Sequence, residues 1–314
     1  MTQPAIIGVD WGSSRLRCYA VAADGTILAT VQNDAGILVT PKVEHAAELL
    51  GLLADWRRCW PDVPIVASGM VGSRGGLKET AYLRTPAGPD DLRRGLDSVV
   101  VGDATIALVP GLIHRGEQGV DVMRGEETVL AGWSISGGQD PASVVVLPGT
   151  HSKWARVADH QVIEFCTFPT GELFDSLLHS GALRDLLPAD EAHDPSAFRD
   201  GVERGLAAQG LLHDYFSVRA EVVSGASSAG GIASQLSGLL VGYEIAEAVR
   251  RMQIAPDESL VIVGQEGLAL RYGEAMQLAD LTATDVSAEQ CLARGWLAVR
   301  ESATPGGHNT GRSQ

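Results

Sequence analysis

The sequence has few cysteines and few basic residues. Its 314 residues include only four cysteines, and none of them forms a CxxC pair: Cys18, Cys59, Cys166 and Cys291. This usage indicates neither a zinc site nor a disulfide framework, and it predicts reduced thiols. Lys and Arg total 24 against 39 Asp and Glu, so the formal net charge is -15. A nucleic-acid partner is disfavoured, because phosphate backbones are bound by fields of Lys and Arg.

Long hydrophobic stretches are also missing. No apolar run approaches the roughly 18 residues that a membrane helix needs, so no membrane partner is expected. Residues 1–4 lack the basic region and following apolar region of a secretory signal. No GxGxxG motif follows the first predicted strand, which disfavours a Rossmann dehydrogenase. We therefore expect a cytoplasmic protein.

What the sequence does contain is a weak internal repeat of architecture. Residues 5–10 form a short apolar run typical of a buried strand, and strands at 16–22 and 26–31 complete a predicted antiparallel meander. Residues 142–147 start the same order again, with two more predicted strands within 154–165. In each half a turn of Gly, Ser and Thr joins the first two strands. The pattern predicts two similar units.

Apolar positions at helical spacing occur between and after these strands. Helices are predicted at 43–59, 126–133, 171–187, 196–214, 237–251 and 287–300. Further strands are predicted at 64–70, 105–109 and 259–263. Residues 137–141 are predicted to be a linker, and the polar residues 303–314 a disordered tail.

Two turns at equivalent points of the two halves are candidates for binding phosphate. In residues 10–14 (DWGSS), glycine and hydroxyl residues let backbone amides approach an anion, and Asp10 at the strand end can hold magnesium through water. Residues 147–153 (LPGTHSK) offer amides, two hydroxyls and Lys153. The second turn lacks the spacing and the following helix of a Walker A loop. Each turn could also be an ordinary hairpin.

The second turn also contains His151 beside Ser152. A nucleophilic pair of these two residues is disfavoured, because neighbours on an extended chain point to opposite faces. A lone histidine is more often structural than catalytic, so His151 is a weak candidate for a base.

Three other segments carry candidate chemistry. Residues 121–128 (DVMRGEET) place carboxylates at a predicted helix start, where they either act as a base or cap the helix. Gly264 ends a predicted strand, either receiving a purine or forming a plain β-turn-α junction. In residues 67–74 (ASGMVGSR), Arg74 could hold a carboxylate bidentately, although a solvated loop is the alternative.

The order of these motifs resembles the superfamily of actin, hexokinase and the heat-shock chaperone ATPases. Within it the chain resembles the 2-dehydro-3-deoxygalactonokinase family, over stretches that span most of the sequence: residues 10–17, 67–74, 121–128, 147–154, 170–174 and 237–244. The resemblance implies an α/β fold of two ribonuclease H-like domains with a cleft between them. It also implies ATP- and Mg²⁺-dependent phosphorylation of 2-dehydro-3-deoxy-D-galactonate at its 6-hydroxyl, in galactonate degradation.

The resemblance also implies a division of the chain. Residues 1–133 would form a sugar-acid-binding domain and residues 142–286 a nucleotide-binding domain. Residues 287–302 would return to the first domain, ahead of the tail. The partners would be the sugar acid and ATP, and the oligomeric state stays open, with a homodimer as one option.

Site roles follow from the same resemblance. Asp10 would hold the metal. The phosphates and adenosine would contact Gly12, Ser13, Ser14, Gly149, Thr150, His151, Ser152, Lys153 and Gly264. The sugar acid would contact Arg15, Ser68, Gly69, Ser73, Arg74 and Tyr82. Glu126 is the first choice of base, with Asp121 and Glu127 as alternatives, because sugar kinases of the wider superfamily usually have an Asp at this helix start.

Three rival functions remain at this point. A kinase for the epimeric 2-dehydro-3-deoxy-gluconate differs only in the orientation of one substrate hydroxyl. A phosphatase of the same fold would use water as the acceptor. A catalytically silent sugar-acid sensor would bind its ligand without turnover, although no added helix-turn-helix is visible at either end.

Overall fold

The computed structural model describes residues 2–116, 119–136, 142–188 and 193–300. The predicted linker at 137–141 and the predicted tail at 303–314 lie outside the described residues.

Strands occupy both halves of the chain. In the first half they are β1 (Ile6–Trp11), β2 (Leu16–Val21), β3 (Ile27–Asn33), β4 (Ile65–Gly69), β5 (Tyr82–Arg84), β6 (Asp97–Val101), β7 (Ala104–Leu108), β8 (Gly111–Gly116) and β9 (Gly119–Met123). In the second half they are β10 (Ala142–Leu147), β11 (Ser152–Ala158), β12 (Gln161–Phe168), β13 (Leu260–Gly264) and β14 (Ala283–Ser287).

The two large sheets share one strand order. The first runs β3-β2-β1-β4-β7-β6, and the second runs β12-β11-β10-β13-β14. In each, an antiparallel meander of three strands is continued by two parallel strands, and the first sheet adds β6 as an antiparallel edge. The repeated order confirms the predicted α/β fold class and the internal repeat. A third, small sheet has the order β5-β8-β9.

The helices are distributed along the whole chain. Their bounds are α1 (His45–Leu52), α2 (Ala54–Cys59), α3 (Pro89–Arg94), α4 (Glu126–Ile135), α5 (Thr170–His179), α6 (Pro195–Ala207), α7 (Leu211–Ser224), α8 (Ile232–Met252), α9 (Glu266–Leu278) and α10 (Ala288–Val299). Within the described ranges, no helix has the length and apolar character needed to cross a membrane.

Three of the predicted helices are interrupted or end early. The stretch 43–59 is interrupted at Leu53, and the stretch 171–187 ends as a helix at His179. The stretch 196–214 is two helices, because the backbone becomes extended at Ala208 and a new helix begins after Gly210. Apolar spacing continues across these breaks, so periodicity alone does not reveal them.

The alternation of side chains along β1 separates two layers. Ile7, Val9 and Trp11 belong to a core that lies under α1 and α2. Ile6 points to the opposite face, into a core that also contains side chains of α4, α10 and the second sheet. Asp10 shares the face of Ile6 because strand side chains alternate with a period of two. The fold thereby directs Asp10 towards the layer of α4 and α10.

Helices α4 and α10 lie between the two sheets and touch through their backbones. A Cβ atom on Gly132 of α4 would come within 1.7 Å of the Cys291 carbonyl oxygen. A Cβ on Gly295 of α10 would come within 1.9 Å of the Thr128 carbonyl oxygen. The two helices are therefore in direct backbone contact, which sets the position of α4 against α10.

Enlarging Gly132 tests this close approach. Gly132→Ala is expected to lower the free energy of unfolding by about 3 kcal/mol, because the added methyl group must push two backbones apart. Gly273→Ala on α9 is the matched control, since its Cβ would only reach ordinary contact at 4.0 Å from Ile262. That control should raise stability by up to about 1 kcal/mol through helix propensity. Urea denaturation followed by circular dichroism measures both, and an unchanged midpoint for Gly132→Ala would contradict the packing.

Candidate active site

Asp10 lies near the end of β1, opposite Ser68 in the parallel register with β4. One of its oxygens, Oδ2, accepts a hydrogen bond from Arg17 Nη2 at 2.6 Å. Burial raises the pKa of Asp10, Arg17 opposes that rise, and the negative charge of Glu126 adds to it. Asp10 and Glu126 are therefore close enough to influence one another.

Glu126 is the first residue of α4, after Gly125 in a left-handed conformation with φ of 114°. Its Oε2 accepts a hydrogen bond from the backbone N–H of Arg124 at 3.1 Å. Its Oε1 lies 3.1 Å from Nζ of Lys153 on β11. This ion pair joins the helix start behind the first sheet to the hairpin of the second sheet.

Lys153 and Ser152 illustrate how one strand serves two layers. The ammonium of Lys153 faces α4, is almost fully buried, and also donates to the carbonyl of His151 at 2.8 Å. Ser152 points the other way and is hydrogen-bonded to the Tyr272 hydroxyl at 2.9 Å. We expected the Ser152 hydroxyl to face a phosphate. Ser152 has no exposed surface, so the structure does not present its hydroxyl to a ligand.

The other two candidate bases have different surroundings. Glu127 is 1% exposed, and its oxygens accept from the Gly125 N–H at 2.6 Å and from the Thr128 hydroxyl at 3.2 Å. Burial, with the neighbouring Glu126 charge, raises the pKa of Glu127 to about 7. Asp121 lies on β9, where its oxygens accept from the backbone N–H and hydroxyl of Thr167. Of these three carboxylates, only Glu126 contacts the hairpin lysine.

The first hairpin turn leaves its polar residues accessible. Ser13 and Ser14 are exposed, and Gly12 is partly so. The backbone N–H groups of Ile37 and Leu38 support the turn from behind, because they donate to the carbonyls of Gly12 and Ser13. The turn is therefore held in shape by backbone contacts and leaves its outer side open.

The second turn is open above its glycine. A Cβ on Gly149 would meet no atom within 4 Å, and Thr150 is exposed. The carbonyl of Thr150 accepts from the backbone N–H of Glu172 at the start of α5. His151 pairs with the Glu172 carboxylate at 2.5 Å, on the exposed side. Gly264 ends β13, the strand next to β10 in the same sheet.

The expected sugar-acid residues fall into two groups. Ser68, which we expected to contact the sugar acid, is 1% exposed and is hydrogen-bonded to Thr128 and to the Trp296 indole. The structure therefore does not present it to a ligand. Ser73 donates to the Met70 carbonyl, which stabilises its own turn. Exposed side chains are available at Arg15 and Arg74, and Arg15 lies 3.6 Å from Asp34. Gly69, which could contact the sugar acid only through its backbone, has a φ of 92°.

Sequence reasoning missed two arginines of this region. Arg17 is the direct partner of Asp10. Arg124 hydrogen-bonds the hydroxyl and carbonyl of Thr80 and stacks over the ring of Tyr82 at 4.3 Å. It thereby attaches the 70–82 segment to the start of α4. Arg124 could have been singled out from the sequence, because it lies within the motif at 121–128. The neighbouring sequence does not indicate its partners Thr80 and Tyr82.

The metal expectation can be tested on the donor set. Within the described ranges, no group of three or more His, Cys, Asp and Glu could hold a metal ion. A magnesium ion that binds with nucleotide phosphates needs only one or two protein carboxylates, because waters and phosphate oxygens complete its coordination. Asp10 fits that role, since Arg17 contacts only its Oδ2.

Comparisons with a family model and with known proteins indicate the same family. The family model described as 2-keto-3-deoxy-galactonokinase matches residues 10–299. A relative from Rhizobium meliloti, named "Probable 2-dehydro-3-deoxygalactonokinase", is 35% identical and covers 95% of this chain and 97% of its own. The 2-dehydro-3-deoxygalactonokinase of Escherichia coli is 36% identical and covers 92% of this chain and 95% of its own.

Solved structures agree with that result. A crystal structure of a Sinorhizobium meliloti protein with the same designation has a TM-score of 0.85 at 35% identity, and covers 94% of this chain and 97% of its own. The activator of 2-hydroxyisocaproyl-CoA dehydratase from Clostridium difficile has a TM-score of 0.51 at 12% identity, over 93% and 92% of the two chains, which shows a shared fold alone. The chain belongs to the 2-keto-3-deoxy-galactonokinase family, and the predicted class of sugar-acid kinase is confirmed.

Proposed function

We propose that this protein phosphorylates 2-dehydro-3-deoxy-D-galactonate at its 6-hydroxyl with ATP as donor, a step of galactonate degradation. The observation that carries the proposal is the contact between Glu126 and Lys153 beside Asp10. A carboxylate that can accept a hydroxyl proton adjoins a lysine of the second hairpin that can bind phosphate oxygens, so the two groups could act on the same transferred phosphoryl group.

The donor side is assigned to the second sheet and to Asp10. Backbone amides of the open turns at 13–14 and 149–151 would hold the phosphates, with Gly12 donating to Arg15 within its own turn, and the junction at Gly264 would receive the adenosine. Asp10 would hold Mg²⁺, which would neutralise phosphate charge when bound. Arg17 keeps the Asp10 carboxylate oriented through its hydrogen bond to Oδ2.

The acceptor side is assigned to the first half of the chain. Glu126 is the proposed base, because Glu127 is buried and Asp121 is engaged by Thr167. The exposed guanidinium of Arg74 would bind the acid group of the substrate, assisted by Arg15 and by the 69–73 turn. Arg124 supports that arrangement, since it holds the segment that follows the turn against the start of α4.

Water must be excluded from such a site, or ATP would be hydrolysed. Closure of the first sheet on the second would achieve this, and the Glu126–Lys153 pair lies where the two approach. A phosphatase would need an open path for water to the same carboxylate. The match to the 2-keto-3-deoxy-galactonokinase family over residues 10–299 supports transfer to a sugar hydroxyl over hydrolysis.

A coupled ADP-release screen across 2-keto-3-deoxy sugar acids tests the proposed substrate. The expected result is ADP formation only when a sugar acid is present, with the galactonate-derived acid giving the highest kcat/KM. Preference for the gluconate-derived epimer would replace the substrate and keep the kinase. ADP formed without any sugar acid would indicate a phosphatase, and binding of a sugar acid without turnover would indicate a sensor.

Substitution of the carboxylates tests their roles. Glu126→Gln and Asp10→Asn are each expected to lower kcat by about 100-fold or more, because a base and a metal ligand are removed. Asp121→Asn should affect kcat much less, since Asp121 acts on Thr167. Glu203→Gln, on the exposed face of α6, is a matched control that should leave kcat unchanged. Near-wild-type turnover in both Glu126→Gln and Asp10→Asn would refute the mechanism.

A further inference from the structure

Glu244 of α8 is a buried carboxylate that the proposed mechanism does not use. It is 2% exposed, and three side chains donate hydrogen bonds to it. Trp154 Nε1 donates to Oε1 at 2.8 Å, while the hydroxyls of Tyr272 and Thr170 both donate to Oε2, the former at 2.8 Å. A carboxylate buried in a protein core is costly unless hydrogen bonds compensate for its lost hydration.

With Glu244 ionised, the number of hydroxyl protons in the cluster sets the hydrogen-bond directions. Tyr272 has one hydroxyl proton, which it gives to Glu244. Ser152, 2.9 Å from the Tyr272 oxygen, must therefore be the donor in that pair. Ser152, Tyr272 and Glu244 form a directed chain that ends on the carboxylate, and Trp154 and Thr170 complete it. Burial raises the pKa of Glu244, and the surrounding donors oppose the rise.

The donors come from the elements that border the second hairpin turn. Ser152 and Trp154 begin β11, the strand that leaves the turn, and their neighbour Lys153 points to the opposite face towards Glu126. The position of Lys153 depends on how these two residues are held. Tyr272 lies on α9, which follows the junction at Gly264.

Thr170 connects Glu244 to the other side of the same turn. It is the first residue of α5, and the next residue, Gly171, packs under the turn, where a Cβ would come within 2.6 Å of the Gly149 carbonyl oxygen. The backbone N–H of Glu172 then donates to the carbonyl of Thr150 at 3.0 Å. One carboxylate thus holds the support beneath the turn as well as the strand that leaves it.

We propose that Glu244 is a positioning residue for the nucleotide site, which fixes the turn at 149–151 and the direction of Lys153 without touching the nucleotide. The proposal rests on the proposed function, because that turn is assigned to the phosphates. Glu244 lies within the motif at 237–244, and no step of the mechanism uses that motif, which agrees with a supporting role.

The chemistry of the cluster distinguishes two substitutions. In Glu244→Gln the amide oxygen can accept from Trp154, and the amide NH₂ can donate to the oxygens of Thr170 and Tyr272, whose hydroxyls can rotate. Tyr272 then donates to Ser152. The hydrogen bonds of the cluster are kept, but the direction of those that join Ser152, Tyr272 and residue 244 is reversed. In Glu244→Ala the donors lose their acceptor and a cavity forms, so the turn is released.

The test measures KM for ATP, KM for the sugar acid, and calorimetric binding of a magnesium complex of a non-hydrolysable ATP analogue. Glu244→Ala is expected to raise KM for ATP and the analogue's Kd about tenfold, the scale of one lost hydrogen bond to a charged group. KM for the sugar acid should stay within about twofold. Glu244→Gln should recover most of the loss. Glu247→Gln, one turn further along α8 and paired with Arg251, is the matched control and should behave as wild type.

Tyr272→Phe provides a second variant if Glu244→Ala does not fold. It keeps the ring and removes only the link between Ser152 and Glu244, so KM for ATP should rise several-fold while KM for the sugar acid does not. Equal rises in both KM values, or no change in a folded Glu244→Ala or Tyr272→Phe, would overturn the proposal. If the wild-type protein fails to bind the analogue, the proposed function fails as well, so the two failures are distinguishable.

Discussion

The contact between Trp296 and the first sheet is the constraint on which the candidate site depends. The indole lies directly on Gly8, where a Cβ atom would come within 1.9 Å of the ring. It also donates to the Ser68 hydroxyl at 2.9 Å. Ser68 donates a hydrogen bond to Thr128, because the Thr128 hydroxyl donates its own to Glu127. One side chain of α10 therefore fixes β1, β4 and the first turn of α4, which carry Asp10 and Glu126.

A hydrogen-bonded cluster around a buried carboxylate lies beside each large sheet. Beside the first sheet, the indole of Trp296 and two hydroxyls end on the buried carboxylate of Glu127. In the second half, an indole and three hydroxyls end on Glu244. The first cluster lies on the face of β4 that α4 and α10 cover, between the sheets, whereas the second lies on the face of β11 opposite Lys153. A buried carboxylate accepts several donors at once, so it can hold elements from distant parts of the chain together.

Much of this could be predicted from the sequence. The strands β1 and β10 are short apolar runs followed by polar turns, and such local patterns are sufficient to place Asp10 at a strand end. The burial of Ser68 could not be predicted, because it depends on Trp296, which is 228 residues away in the sequence. The burial of Ser152 could not be predicted for the same reason, since its partner Tyr272 is 120 residues away. Helix breaks such as Ala208–Gly210 leave no trace in the apolar spacing.

The dependence of the first sheet on Trp296 has a consequence for synthesis. A ribosome completes residues 6–135 long before it reaches α10, so the slot over Gly8 stays empty while the whole second sheet is translated. The first sheet can pair its strands as it emerges, but it cannot bury that apolar face. The first sheet therefore completes its packing only after α10 has emerged, and until then the nascent chain exposes this apolar surface to chaperones.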